Sequence, residues 1–325
     1  TYPASLKSEL LAECGAIHFD VEGFRHVDRN LLLERINTLL HNRFDIATYL
    51  MRTKPWDFFM MVDMGVDRLH HAFWRYGDPE HPKFLQDNPL RWAMRDYYQA
   101  LDQRIGDLLA LAGDDTKVLV VSDHGAKAMH GGVRINQWLM NEGHLHLKNP
   151  PAQSQAFRLE EVDWSRTTAW GEGGYYGRIF LNVAGREAAG ILSPDAIPEF
   201  KADIKSALEA MRDPKGTLLE NRVMCPEDLY PQVNGVAPDL MVYFGDLHWR
   251  SLGEVGCDTI FADSNDTGAD EANHAMDGIL IAYDGQTNRQ LSLDHATLID
   301  IAPTVLSWMG VDVPPDMQGR DWTLG

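Results

Sequence analysis

The chain has 325 residues, 44% apolar and 24% charged, the proportions of an ordinary globular protein with enough length to bury a large core. A formal net charge of −19 argues against a nucleic-acid duplex as partner, and no run approaches the roughly 18 apolar residues of a membrane-spanning helix. Cys14, Cys225 and Cys257 are too few and too far apart for a disulfide framework or a cysteine-rich zinc site, and reduced thiols favour a cytoplasmic location. No basic-then-apolar leader opens the chain.

In chain order, Pro3 to Glu13 reads as a short helix stopped near Gly15, and Ala16 to Val21 as a strand. Asn30 to Thr53 is a long helix with Leu31, Leu32, Ile36, Leu39, Leu40, Ile46 and Leu50 on a broad apolar side, Asn30 as its N-cap and Pro55 as its stop. Asp57-Phe-Phe-Met-Met-Val62 reads as a buried strand, Arg91 to Leu111 as a second long helix, and Lys117-Val-Leu-Val-Val-Ser122 as a buried parallel strand. Ile135 to Asn141 is a short helix. Residues 144–176 show no clear period and read as a cap or insertion. Ile179 to Val183, Asp239 to Phe244 and Gly278 to Tyr283 are strands, and Ile197 to Met211 is a helix. The run 245–277 reads as a long loop. Ala296 to Met309 closes the chain as a helix broken or kinked at Pro303. The alternation of strand-like and helix-like segments points to an α/β protein with a mostly parallel sheet flanked by helices.

Three clusters of oxygen and imidazole donors stand out. Asp67 and His71 are four apart, so one helical turn places both on one face. Ser122-Asp123-His124-Gly125 follows a strand and would deliver a carboxylate and an imidazole to the C-terminal edge of a sheet, where open α/β sheets place ligands. Asn273-His274 is the third. Carboxylate with imidazole is a donor set that suits zinc.

These motifs resemble the ligand order of the alkaline phosphatase superfamily, and within it the type I phosphodiesterases and nucleotide pyrophosphatases. Pro55-Trp-Asp-Phe-Phe, Asp67-Arg-Leu-His-His-Ala-Phe-Trp, Asn182-Val-Ala-Gly-Arg-Glu187, Ala237-Pro-Asp-Leu240, Asn265-Asp-Thr-Gly268 through His274, and Leu298-Ile-Asp-Ile-Ala-Pro-Thr-Val-Leu with Met317-Gln-Gly-Arg320 carry the resemblance over nearly the whole length. It implies an alkaline phosphatase-like fold, 1–325 being a single N-terminally incomplete domain with a cap at 144–176.

The resemblance further implies two divalent metal ions, zinc by preference with manganese or iron as alternatives. One would be held by Asp67, His71 and His274, the other by Asp123 and His124. Such ions would supply the positive charge that an acidic chain lacks for anionic phosphates. The family's early Asp and its Thr, Ser or Cys nucleophile are not identified in this sequence, so the catalytic residue stays unassigned. The implied substrate is a small phosphate ester or nucleotide, cleaved through a covalent phospho-enzyme. A phosphomonoesterase, a sulfatase, a phosphomutase and an inactive metal-binding remnant remain alternatives. His130, Arg134, Trp170 and Tyr175 are candidate substrate contacts, each with a structural role as its alternative. Lys127, near the Asp-His-Gly turn, is with Arg134 a candidate contact to a phosphoryl oxygen, with surface solvation as its alternative, and Asp63, His70 and Asn273 are candidates for orienting the ligands.

Overall fold

The computed structural model describes residues 1–265, 268, 270–284 and 295–322. The chain divides into two compact units: residues 1–111 with 126–276, and residues 112–125 with 277–325.

The larger unit has two apolar cores. The first is helical. Asp28 caps the helix Arg29–Thr53 by accepting from Asn30 N (2.8 Å) and Leu31 N (3.4 Å), so the cap lies two residues before the expected Asn30. The helix ends where Lys54 turns extended ahead of Pro55. Its Leu32, Ile36, Leu39, Leu40 and Phe44 pack with Leu69, Ala72 and Phe73 of the helix Gly65–Gly77 and with Tyr97 of the helix Ala93–Ala112. Gly65 opens the site-bearing helix because nothing larger fits. A Cβ there would stand 1.9 Å from the buried Tyr97 hydroxyl.

Two expected strands are not formed among the described residues. At Ala16–Val21 the chain bends instead, and the Asn42 side chain satisfies its backbone, accepting from His18 N (2.9 Å) and donating to Ala16 O (2.7 Å). Residues 57–62 have no ladder partner, and Val62 O is taken by the Arg43 side chain (3.0 Å). Phe58, Met60 and Val62 are exposed, so this run is not the buried strand that its apolar composition suggested.

The second core surrounds an antiparallel sheet of four strands in the order Ala169–Glu172, Gly177–Leu181, Leu240–Tyr243, Arg222–Met224. Alternate residues Ile179 and Leu181, Leu240 and Val242, and Val223 all point into it, the period expected of a sheet with one covered face. Ile135, Trp138 and Leu139 of the helix Ile135–Asn141, and Ile204 and Leu208 of the helix Ile197–Glu209, cover that face. From 144–176, Leu145, Leu147, Val162 and Ala169 enter the same core. The run expected as a loop at 245–277 contains strands at Trp249–Leu252, Glu254–Val255, Phe261–Ala262 and Ala272–Ala275. The first of these pairs in parallel with Gly131–Arg134. The mostly parallel sheet expected from the segment pattern does not appear among the described residues; the fold is mixed α/β with several small sheets.

In the smaller unit Lys117–Val121 pairs with Leu280–Asp284, and the pairing is antiparallel, not parallel as its apolar run implied. The strand is half-buried at its centre and exposed at both ends. Gly278 passes close to Ser122, where a Cβ would come within 2.9 Å of the Ser122 carbonyl oxygen. Thr297 and Asp300 each accept from the other's backbone N–H, a reciprocal cap at the start of a 3-10 turn that leads into the helix Ile301–Trp308. Pro303 falls in the first turn of that helix, where its missing N–H would have no helical partner, so it neither breaks nor kinks it.

Candidate functional site

The helix Gly65–Gly77 places Asp67 and His71 on one face, as their spacing requires. His274 arrives on the strand Ala272–Ala275. His71 Nε2 lies 3.3 Å from Asp67 Oδ1 and 3.2 Å from His274 Nε2, and His274 Nε2 lies 3.6 Å from Asp67 Oδ1. The structure thus brings together three residues that stand up to 207 positions apart in the numbering 67 to 274. In tetrahedral zinc coordination, bonds of about 2.0–2.2 Å put neighbouring ligand atoms about 3.3–3.6 Å apart. The donor set and its spacing fit such an ion.

The support beneath these groups was not read from the sequence. His71 Nδ1 donates to Asp270 Oδ1 (2.8 Å) and to Ala272 O (3.0 Å), which leaves Nε2 turned to Asp67 and His274. Asp270 is fully buried and its Oδ2 receives Arg250 Nη1 (3.1 Å), Asn265 Nδ2 (3.3 Å) and Arg25 Nη2 (3.4 Å). A carboxylate on the outer nitrogen of a ligating histidine fixes its tautomer and orientation. Burial pulls the His71 imidazole down, but the hydrogen bonds and charges of Asp270 and Asp67 overcome this and raise it to about 9. Burial pushes the Asp67 carboxyl up, yet hydrogen bonds from His274 and His71 prevail and hold it well below the usual carboxylate range. Arg68 closes the other side, reaching Asp67 Oδ2 (2.9 Å) and gripping both oxygens of Asp20 (2.8 and 2.6 Å).

Of the candidate contacts, Tyr175 is at this site. Its ring stacks on His274 at 4.0 Å and lies 5.4 Å from His71, with the Arg250 guanidinium over it at 4.8 Å. Asn273 holds the loops around it, donating to Leu247 O (2.7 Å) and Tyr175 O (3.1 Å). The other candidates make contacts with other neighbours. Arg134 is taken up by Glu254 (2.7 Å), Thr259 O (3.0 Å) and Phe261 O (2.6 Å). Trp170 stacks on Phe180 and meets Trp164 edge-on against the sheet core. His130 stacks on His248 at 4.5 Å. Lys127 reaches Asp246 (2.8 Å). His70 bonds the Tyr98 hydroxyl (2.8 Å), and Asp63 accepts from Tyr97 (3.3 Å).

Asp123 and His124 belong to the smaller unit. The Asp123 side chain is exposed, and His124 Nε2 lies 3.5 Å from its Oδ2. His124 Nδ1 is 2.9 Å from Gly125 O, which orients the ring locally. Asp266 and Thr267 of the Asn265–Gly268 motif lie outside the described residues.

The sequence model of the type I phosphodiesterase / nucleotide pyrophosphatase family matches residues 6–277. The chain belongs to this family. The family is part of the alkaline phosphatase superfamily, is metal-dependent, and acts on small phosphodiester and pyrophosphate substrates. No curated protein matches the chain. No helix among the described residues is long and apolar enough to cross a membrane.

Proposed function

We propose that the protein is a metal-dependent phosphohydrolase acting on phosphodiester or nucleotide pyrophosphate bonds, with Asp67, His71 and His274 holding one divalent cation, zinc by preference. The observation that carries this reading is the set of mutual distances of 3.2, 3.3 and 3.6 Å among Asp67 Oδ1, His71 Nε2 and His274 Nε2. Three protein ligands leave a fourth position open, the pattern of catalytic zinc sites. A bound ion would supply Lewis-acid polarisation of a phosphoryl oxygen there. Asp123 and His124 are proposed to hold the second cation of the family's pair.

The residues around the cradle have their own tasks. Asp270 and the Ala272 carbonyl hold the His71 proton at Nδ1, so that Nε2 offers its lone pair once the imidazole is neutral. Arg68 keeps Asp67 in place and ionised. Tyr175 covers the imidazole of His274 and limits water around it. The reading is tested by zinc titration together with hydrolysis of bis-p-nitrophenyl phosphate. Zinc binding and turnover should both fall in Asp67→Asn and His274→Ala. Turnover and zinc affinity unchanged in those variants would refute the assignment. Arg134→Gln should leave zinc binding intact.

A further inference from the structure

Arginines 25, 68 and 250 all reach carboxylates at or beneath the cradle, but they are not equally satisfied. Arg68 is closed: Nε and Nη2 are on Asp20 at 2.8 and 2.6 Å, and Nη1 is on Asp67 at 2.9 Å. Arg25 and Arg250 instead share one oxygen. Asp270 Oδ1 is taken by His71, so only Oδ2 is left for both guanidiniums, at 3.4 Å from Arg25 and 3.1 Å from Arg250. Charge-assisted bonds usually close to about 2.7–2.9 Å. Among the described residues, neither arginine makes a carboxylate bond that short.

Among the described residues, Asp270 is the one carboxylate that either guanidinium of this pair reaches. Arg250 is the more demanding, because its side chain is only 8% exposed and its Nε is buried with no hydrogen-bond partner among the described residues. A buried cationic donor left unmade is costly, and a native structure that keeps one calls for an ion, a water or a ligand to meet it. Arg25 is a quarter exposed, and among the described residues its side chain makes one hydrogen bond, the long one to Asp270, which engages one of its five N–H groups. Its position is fixed from behind. Gly268, with φ +107°, packs against Arg25, where a Cβ would stand 2.9 Å from that of Arg25. The pair is tied to the cradle on two sides: Asp270 bridges it to His71, and the Tyr175 ring touches both the Arg250 guanidinium and the imidazole of His274.

We propose that Arg25 and Arg250 form an oxyanion subsite beside the Asp67–His71–His274 cradle. It takes a phosphate-sized anionic group of the substrate other than the one that reacts. The planar guanidinium of Arg25 would engage two oxygens at once, which a lysine could not. The identity of the bound group as part of the substrate rests on the phosphohydrolase reading. The existence of the subsite rests on the arginines alone.

The test is calorimetric titration of inorganic phosphate into the full chain with all metal chelated. The wild type should bind phosphate, and Arg25→Ala should weaken it by about tenfold or more, the worth of one charge-assisted hydrogen bond or more. Arg25→Lys should fall between them. Arg25 is partly exposed, so its replacement opens no core, and urea midpoints confirm that each variant is folded. His274→Ala should bind phosphate as the wild type does. No phosphate binding by the wild type, or equal affinity in Arg25→Ala, would overturn the subsite. Loss of phosphate binding in His274→Ala with retention in Arg25→Ala would overturn it too, by placing the anion on the cradle. Zinc titration separates the two readings: a wild type that binds phosphate but no zinc removes the cradle and keeps the subsite.

Discussion

Asp270→Asn is the perturbation with the most to teach, because one buried carboxylate holds His71, Arg250 and Arg25. In the metal-free chain the His71 imidazole is raised to about 9 from its ordinary 6.5. The ring is 2% exposed, so solvent screening does little to reduce the effect. A rise of that size corresponds to about 3 kcal/mol of folding stability. The sign follows from its direction. The folded state holds the proton more tightly than the unfolded state does, so the contribution is complete below about pH 6.5 and is lost as pH rises through about 9.

The asparagine keeps the shape and removes the charge. It should lower stability by about 3–5 kcal/mol at neutral pH, because two guanidiniums and an imidazolium lose their shared anion. It should also flatten the alkaline decline, leaving Asp67 as the acidic partner of His71. The assay is urea denaturation of both proteins with metal chelated, from about pH 6 to 10, compared as a difference so that other titrating groups cancel. Parallel curves for the two proteins would refute the account of His71. Adding zinc should reverse the trend in the wild type, since the ion requires the neutral imidazole and its stabilisation grows with pH.

Gly65→Ala should destabilise by about 1–3 kcal/mol through the Tyr97 hydroxyl, which the new methyl would meet at 1.9 Å; adding Tyr97→Phe should recover part of the loss, and urea midpoints of the single and double variants measure it. Leu40→Ala, at a fully buried position of the helical core, should cost about 2–5 kcal/mol by the same assay. Tyr175→Leu removes the ring from beside His274 and should weaken zinc binding less than His274→Ala does; equal losses would make Tyr175 a ligand in effect, not a neighbour.

The helices were legible because their signals are local. Leu32, Ile36, Leu39 and Leu40 write a stripe that needs no knowledge of what it packs on, and the helix Ile135–Asn141 ends where its sequence says. Strands depend on a partner, and partners are remote. Lys117–Val121 and Asp57–Val62 look alike as apolar runs. The first found Leu280–Asp284 and became a strand, while the second found no ladder among the described residues and did not. Nor does an apolar run state direction, which is why Lys117–Val121 could be read as parallel when its partner runs antiparallel.

The cradle residues were legible for the same reason as the helices: Asp67 and His71 share a helical face, and the imidazole of His274 has few competitors near it in sequence. What decides their chemistry was not. Asp270 stands beside Glu271 in an acidic stretch where either could be a solvated surface charge, and only the fold shows that it is buried under His71. Arg250 lies in a strand hidden inside an expected loop, so its burial had no sequence signal at all. These two are nevertheless what makes the site more than three donors. Asp270 turns the Nε2 of His71 inward, and among the described residues Arg250 and Arg25 have only its other oxygen to share, which leaves a positive demand beside it. In a chain of net charge −19, that demand is where an anionic substrate would find local attraction. The attraction comes from unequal pairing inside a buried cluster, so it acts at short range and depends little on the repulsive charge of the whole molecule.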